Sequence, residues 1–319
     1  MAEIVVRPFK SGEAELAWDQ LVAQSYNGTM LHTRRYLGYH GDRFVDQSLW
    51  IERDGQVIGV FAAAVDPKDG DRVVSHPGLT YGGMIAGSAL HGELGVEALT
   101  AISSWYRHQG FSALGYKPVP HVYHRQAAET EEYALFRLNA SCYRVDLCSV
   151  IDLAQPRQWS RERRYGLKRA EGAGIEVTLG REGLDEFWPI LQWQLSTLHG
   201  VQPVHEQAEM EDLMARFPEH IALVSARYRG EMVAGVVTYF MGPVVRAQYS
   251  ASSQQGRTLY ALNPVFDQAI QAAVDRGHRY FDFGNSNEAD GRLLNQGLHR
   301  FKFGFGARDT VQRFYQLTW

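Results

Sequence analysis

The sequence predicts a mixed α/β protein made of two similar halves. Apolar residues switch along the chain between a period of 2 and a period of 3.6, the signs of strands and helices in alternation. The order helix, hairpin, strand, long helix, strand occurs twice. The 319 residues exceed the usual size of one domain, and 45% hydrophobic with 21% charged residues is an ordinary globular balance.

In the first half, Glu3 to Phe9 reads as a strand. Glu13 to Ala23 reads as a helix, with Ala14, Trp18, Leu21 and Val22 at helical spacing. Gln47 to Arg53 and Gln56 to Val65 read as a hairpin about Asp54-Gly55, a strong turn pair. Ala89 to His108 is a helix with Leu90, Leu94, Ala98, Ile102 and Trp105 on one stripe; Gly110 ends it and a strand follows over Phe111 to Tyr116. The second half repeats the order. Gly183 to Leu198 is a helix, Ile221 to Arg227 and Glu231 to Phe240 a hairpin about Arg229-Gly230, and Val244 to Ala251 a strand. Arg257 to Arg276 is a helix with Leu259, Leu262, Phe266, Ile270, Ala273 and Val274 inward, closed by Gly277 and followed by a strand over Tyr280 to Phe283. DGQVIGVFAA at 54–63 echoes RGEMVAGVVTYF at 229–240, and HQGFSALGY at 108–116 echoes DRGHRYFDFG at 275–284, at similar offsets. An old duplication accounts for both, with the join near Asp152 to Trp159 and domains at 1–152 and 153–319. No low-complexity linker divides them, which predicts close packing.

The net charge of −4 argues against a chain that wraps nucleic acid, DNA included, because phosphate neutralisation needs a dense basic face. Cys142 and Cys148 lie an even number of residues apart on an apolar stretch, so a strand puts both on one face, ~20 Å apart and beyond disulfide reach. The start, MAEIVVRPFK, lacks a long apolar signal core. The longest clean apolar run, Val57 to Val65, falls far short of the ~18 residues that span a bilayer. A cytoplasmic protein without a transmembrane anchor is the expectation.

Three segments carry chemistry. SRERRYGLKRAEGAGIEV (160–177) is a basic helix with Arg161, Arg163, Arg164, Lys168 and Arg169, either a solvated face or a grip on a phosphate-bearing ligand. QYSASSQQGRTLYALNP (248–264) places Gly256 and Arg257 where a strand turns into a helix, either a polar loop or a pyrophosphate seat on unpaired N–H groups. YFDFGNSNEADGRLLNQGLHRFKFGFGA (280–307) sets Asp282 in an apolar strand and Lys302 between two phenylalanines. Asp282 is either a loop cap or a base whose pKa burial raises, and Lys302 either a surface lysine or an oxyanion holder. His199 and His205 follow a helix on a loop and are acid–base candidates. His121 and His124 lack supporting ligands for a metal, and none is expected.

Together these segments resemble the FemAB-like branch of the GNAT (GCN5-related N-acetyltransferase) superfamily. The carriers are RRYGLKRAEGAGIEV, GEMVAGVV, QYSASSQQGR, YFDFGNSNE and GLHRFKFGFGA, with NGTMLHTRRYLGYHGDRF, SHPGLTYGG and HVYHRQAAETEEYALF in the first half. The resemblance implies two tandem GNAT-like (acyl-CoA N-acyltransferase) domains, with mixed, mostly antiparallel sheets and flanking helices. It implies that an acceptor amine attacks an activated acyl group, admitted where the strands near 244–251 and 280–283 splay apart. Relatives divide by donor: acyl-CoA, often with amino-sugar or envelope-glycan acceptors, or aminoacyl-tRNA in the Fem-type peptidoglycan enzymes. The usual phosphate loop has Gln or Arg, two residues, Gly, one residue, then Gly or Ala; Ser253 to Thr258 departs from it at two positions. On this resemblance Asp282, His205 and Tyr249 handle protons, while Gln254, Gly256, Arg257 and Thr258 hold the donor, acetyl-CoA or another acyl-CoA. His76, Tyr81, His199, Gln248, Asn285 and Lys302 receive the acceptor, a small molecule or glycan precursor. An aminoacyl-tRNA donor and a non-catalytic glycan- or peptide-binding protein are the alternatives.

Overall fold

The computed structural model describes residues 3–10, 12 and 14–319, with His199 described by its backbone alone. By contact density the chain forms two compact units. The first comprises Met1–Asp146, Ala289–Leu293 and Val311–Trp319; the second comprises Leu147–Glu288 and Leu294–Thr310.

The first unit begins with β1 (Ile4–Pro8), α1 (Glu15–Gln24) and the one-turn α2 (Arg34–Leu37). There follow β2 (Leu49–Arg53), β3 (Gln56–Phe61), β4 (Ala64–Asp66), β5 (Asp69–Val74), β6 (Met84–Ala86), α3 (Glu93–His108), β7 (Ala113–Tyr116) and α4 (Thr130–Arg137). Strands β1, β2, β3 and β6 form one antiparallel sheet, and a second run in the order β4, β5, β7 has its β5–β7 pair parallel. Asp54 and Gly55 both take positive φ, 52° and 72°, the two-residue turn whose twist suits a hairpin. The strand expected over Gln56 to Val65 is instead two, β3 and β4, in different runs. At the crossing the Ala63 N–H donates to Ser48 Oγ (3.2 Å) and its carbonyl accepts from Gln47 (2.8 Å), so the β3 ladder ends there. The helix expected from Ala89 starts at Glu93, because Gly92 sits at φ 56° outside helical space. Ile51, Phe61, Leu99, Ile102 and Leu114 form the centre of this unit's core.

β8 (Ser141–Asp152) carries the chain onward and holds both cysteines, neither in a disulfide, Cys142 exposed and Cys148 buried. Then come α5 (Arg161–Gly172), β9 (Glu176–Gly180), α6 (Leu184–His199), α7 (Gln207–Arg216), β10 (Ile221–Tyr228), β11 (Glu231–Met241) and β12 (Val244–Ser252). The rest is α8 (Gln254–Thr258), α9 (Leu262–Asp275), β13 (Tyr280–Asn285), the two-residue β14 (Asn287–Glu288) and β15 (Leu293–Leu294), α10 (Gln296–Phe303) and β16 (Arg308–Thr318). In the second unit the strand order is β8, β13, β12, β11, β10, β9, antiparallel except for β12 with β13. Val224, Val236, Val245, Phe266, Ile270 and Phe281 are buried between α9 and this sheet, and each such side chain contributes about 1.5–3 kcal/mol.

The helix expected over Arg257 to Arg276 is broken into α8 and α9. Pro264 explains the break. In a continuous helix its ring would strike the carbonyl of Tyr260. Tyr260 instead takes φ 57°, and α9 restarts at Leu262, leaving Pro264 in a first turn where its missing N–H costs nothing.

Candidate active site

β12 and β13 pair for three positions only, Val244 with Tyr280, Val245 with Phe281 and Arg246 with Asp282. Beyond that rung they part. β12 continues along β11 to Ser252, with Gln248 bulged between Val237↔Tyr249 and Thr238↔Ala247. β13 continues along β8 to the pair Asn285↔Cys148. Past that rung the β12–β13 ladder no longer serves the facing backbone edges.

Charge gathers at the floor of this gap. Arg246 Nη1 donates to Asp282 Oδ2 at 2.7 Å, and Asp282 Oδ1 accepts the Gly284 N–H at 2.6 Å. Gly284 lies at φ 75°, and a Cβ there would come within 3.2 Å of Arg246 Nη2. On α10, Lys302 is buried and donates to the carbonyls of Gly284 (3.1 Å) and Asn285. Burial pushes the Lys302 ammonium down to about 8; Asp282 opposes that shift and Arg246 adds to it.

One step up β12, Tyr249 Oη lies 2.6 Å from His205 Nδ1 and accepts the His205 backbone N–H at 3.3 Å. Trp188 meets the Tyr249 ring edge-on at 5.7 Å, and burial raises the phenol's pKa, so the hydroxyl stays protonated at neutral pH. Gln194 of α6 braces the strand end: its Nε2 donates to the Ser250 carbonyl (3.2 Å), and its Oε1 accepts from Ser252 N–H (3.0 Å) and Arg257 (3.1 Å).

At the far end of β12, Ser253 caps α8 by accepting the Gly256 N–H at 3.1 Å. Gly256 admits no side chain, since a Cβ would stand 2.2 Å from the Val233 carbonyl. The amides of Gln254 and Gln255, in the first turn, have no intrahelical acceptor. Arg257 lies over the Trp193 ring, and Thr258 reaches a cavity of about 300 Å³ lined also by Lys168, Arg169, Gly172, Ala173 and Leu259. The basic helix is thus divided. Arg163 turns inward onto Asn263 and the Phe301 ring, and Arg164 caps the Trp159 carbonyl, whereas Lys168 and Arg169 face the cavity.

The structure therefore brings Asp282, Asn285 and Lys302 together, joins His205 to Tyr249 beside Gln248, and sets Gln254, Gly256, Arg257 and Thr258 on one turn. His76 and Tyr81 lie in the first unit, both buried. His76 packs against His40 and Phe44, and its carbonyl accepts from Lys117; Tyr81 packs between His32 and Tyr123. The side chain of His199 lies outside the described residues. Sequence reasoning missed Arg246 and Gln194; a lone arginine in the apolar run of β12 was the available signal for the first. Among the described residues no group of three or more His, Cys, Asp or Glu is placed to hold a metal ion, and no helix is long and apolar enough to cross a membrane.

Residues 156–302 match the family described as acetyltransferase (GNAT) domain. The fold is similar to that of FemX (TM-score 0.71, 13% identity, covering 98% of this chain and 97% of that one). It is also similar to L-PGS from Bacillus licheniformis (0.65, 12%, 97% and 93%) and to a tandem GNAT protein from the clavulanic acid biosynthesis pathway (0.54, 12%, 100% and 98%). Comparison with curated proteins gives no match. The class that the fold and the family match define is an acyltransferase. Residues 156–302 thus carry the match to a GNAT domain, and the fold of the chain is similar to that of FemX and of a tandem GNAT protein.

Proposed function

We propose that the chain is an N-acyltransferase that carries an acyl group from an acyl-CoA, acetyl-CoA being the simplest, to the amine of an amino sugar or a related cell-envelope glycan precursor in the cytoplasm. The parting of β12 from β13 beside the Tyr249–His205 pair is the observation that carries this reading. The donor's phosphates meet Gln254, Gly256, Arg257 and Thr258, with Lys168 and Arg169 nearby, and its thioester arm runs down the open edge of β12. Arginine and first-turn amides suit phosphate. From Ser253 to Arg246 the strand covers about 23 Å, room for an extended arm.

The acceptor ammonium gives one proton to His205 and thence to solvent. The freed amine attacks the acyl carbonyl, the C–N bond forms and the C–S bond breaks. The second amine proton returns through His205 and Tyr249 to the departing sulfur. Lys302 stabilises the oxyanion, with Asn285 and Gln248 orienting the acceptor. Asp282, engaged by Arg246 and the Gly284 amide, positions this floor. Thiol release from acetyl-CoA with an amino-sugar acceptor tests the reading. Acceptor-dependent release that collapses in Tyr249→Phe supports it; the absence of both release and acyl-CoA binding sinks it.

A second reading is an aminoacyl-tRNA-dependent transferase acting on a peptidoglycan-like precursor. The fold likeness to FemX and L-PGS and the Lys168–Arg169 cavity favour it. It requires that charged tRNA bind with an affinity that falls steeply between low and physiological salt.

A further inference from the structure

The outer end of β12 is served by a side chain. The N–H of Ser253, next after the strand, donates to the Val233 carbonyl of β11 at 2.9 Å. Strand groups alternate in direction, so Ser252 and Ser250 turn theirs away from β11, toward the edge that β13 pairs with only as far as Arg246. Gln194 of α6 engages both. Its Nε2 donates to the Ser250 carbonyl at 3.2 Å, and its Oε1 accepts the Ser252 N–H at 3.0 Å. One donor and one acceptor set against residues two apart is what a single residue of a neighbouring parallel strand supplies. The same Oε1 accepts from Arg257 Nη2 at 3.1 Å, and that guanidinium lies 5.4 Å from the centre of the Trp193 ring. Two consecutive side chains of α6 thus close the strand edge and hold the arginine assigned above to the donor phosphates.

The arm of an acyl-CoA carries secondary amides, whose N–H and C=O groups need partners wherever water is excluded. If the arm follows β12, its partners at this end are the two groups that Gln194 already engages. The Ser252 N–H is a single donor and cannot serve both. A glutamine side chain is an occupant that can leave. It turns about its own side-chain bonds with the backbone of α6 unmoved, and its amide finds water outside. Its departure also releases the Arg257 guanidinium, which then offers its fork to phosphate.

We propose that Gln194 is a placeholder for the donor: its amide closes the outer edge of β12 until an amide of the incoming arm displaces it. This rests on the acyl-CoA reading above. The test is calorimetric titration of the full chain and of Gln194→Ala with CoA, with circular dichroism confirming the fold. Freed from competition, the variant should bind CoA at least about threefold more tightly than the parent. Without CoA, hydrogen exchange over residues 248–253 should be faster in the variant than in the parent, and with saturating CoA the two should agree. Should Gln194→Ala fail to fold, Gln194→Met, which keeps the volume and removes the amide, is read in its place. Unchanged or weaker CoA binding by the folded variant overturns the inference and leaves the acyl-CoA reading standing, because Gln194 then remains beside the donor. Exchange that the substitution leaves unaltered overturns it too. If neither parent nor variant binds CoA, the acyl-CoA reading fails and this inference fails with it.

Discussion

Replacing Tyr249 by phenylalanine keeps the ring that Trp188 and His205 pack against and removes only the hydroxyl. If that hydroxyl delivers the proton to sulfur, kcat should fall by about 100-fold, with KM changing less than about threefold. Steady-state thiol release measures both, and a kcat within twofold of the parent removes Tyr249 from the reaction. Lys302 predicts a pH effect of definite sign. It is charged below about 8, so an oxyanion held by it loses support as pH rises through that value, and turnover falls. Stability moves the other way: the unfolded chain keeps the lysine proton up to about 10.5, so between about 8 and 10.5 the folded state gains relative stability as pH rises. A pH–rate profile alongside urea unfolding at pH 7, 8 and 9 separates the two; a flat rate limb across pH 8 contradicts the oxyanion role. Asp282 and Lys302 were legible as candidates because a charge within an apolar run is conspicuous. Their partners were not, since the Arg246 pairing depends on a strand register between segments far apart in sequence.

Elements set the site through close approaches that only glycine allows. A methyl group on Gly256 would meet the Val233 carbonyl, which is backbone and cannot swing aside. Gly256→Ala should therefore cost about 2–3 kcal/mol and weaken donor binding, read as a lower denaturation midpoint and a raised KM for acyl-CoA. Full retention of both would mean that α8 can shift away from β11. Gly166 plays the same part where α5 meets α9, its absent side chain leaving room for the Asn263 amide, which donates to the Arg163 carbonyl at 3.0 Å. The long helices and both hairpins were readable from period and turn chemistry. The interruption at Tyr260 has its signal in Pro264, four residues later, which the apolar period across 257–276 masks. The crossing at Ala62-Ala63 had no local signal at all, because an apolar run reads the same within one sheet or between two.

The first unit buries His32, His40 and His76. Burial holds His32 and His40 down to about 4, and His76 is pushed below its ordinary value by burial and by His40 and Lys117 nearby. The folded protein keeps these rings neutral while an unfolded chain protonates them near 6.5, so stability is complete above pH 6.5 and is lost as pH falls toward 4. Each of His32 and His40 accounts for up to about 3 kcal/mol of that loss. Urea midpoints should decline steadily from pH 6.5 to 4.5, and His32→Gln should flatten the decline; a pH-independent midpoint across that window contradicts their burial as neutral rings. The tandem order of elements was visible in the sequence at this scale, whereas the return of residues 311–319 to the first unit was not, because chain topology leaves no periodic trace. The paired tight turns at Asp54-Gly55 and Arg229-Gly230 have a practical use as well. Both tips are exposed, so an epitope or a small reporter spliced into either should leave the rest of the chain able to fold.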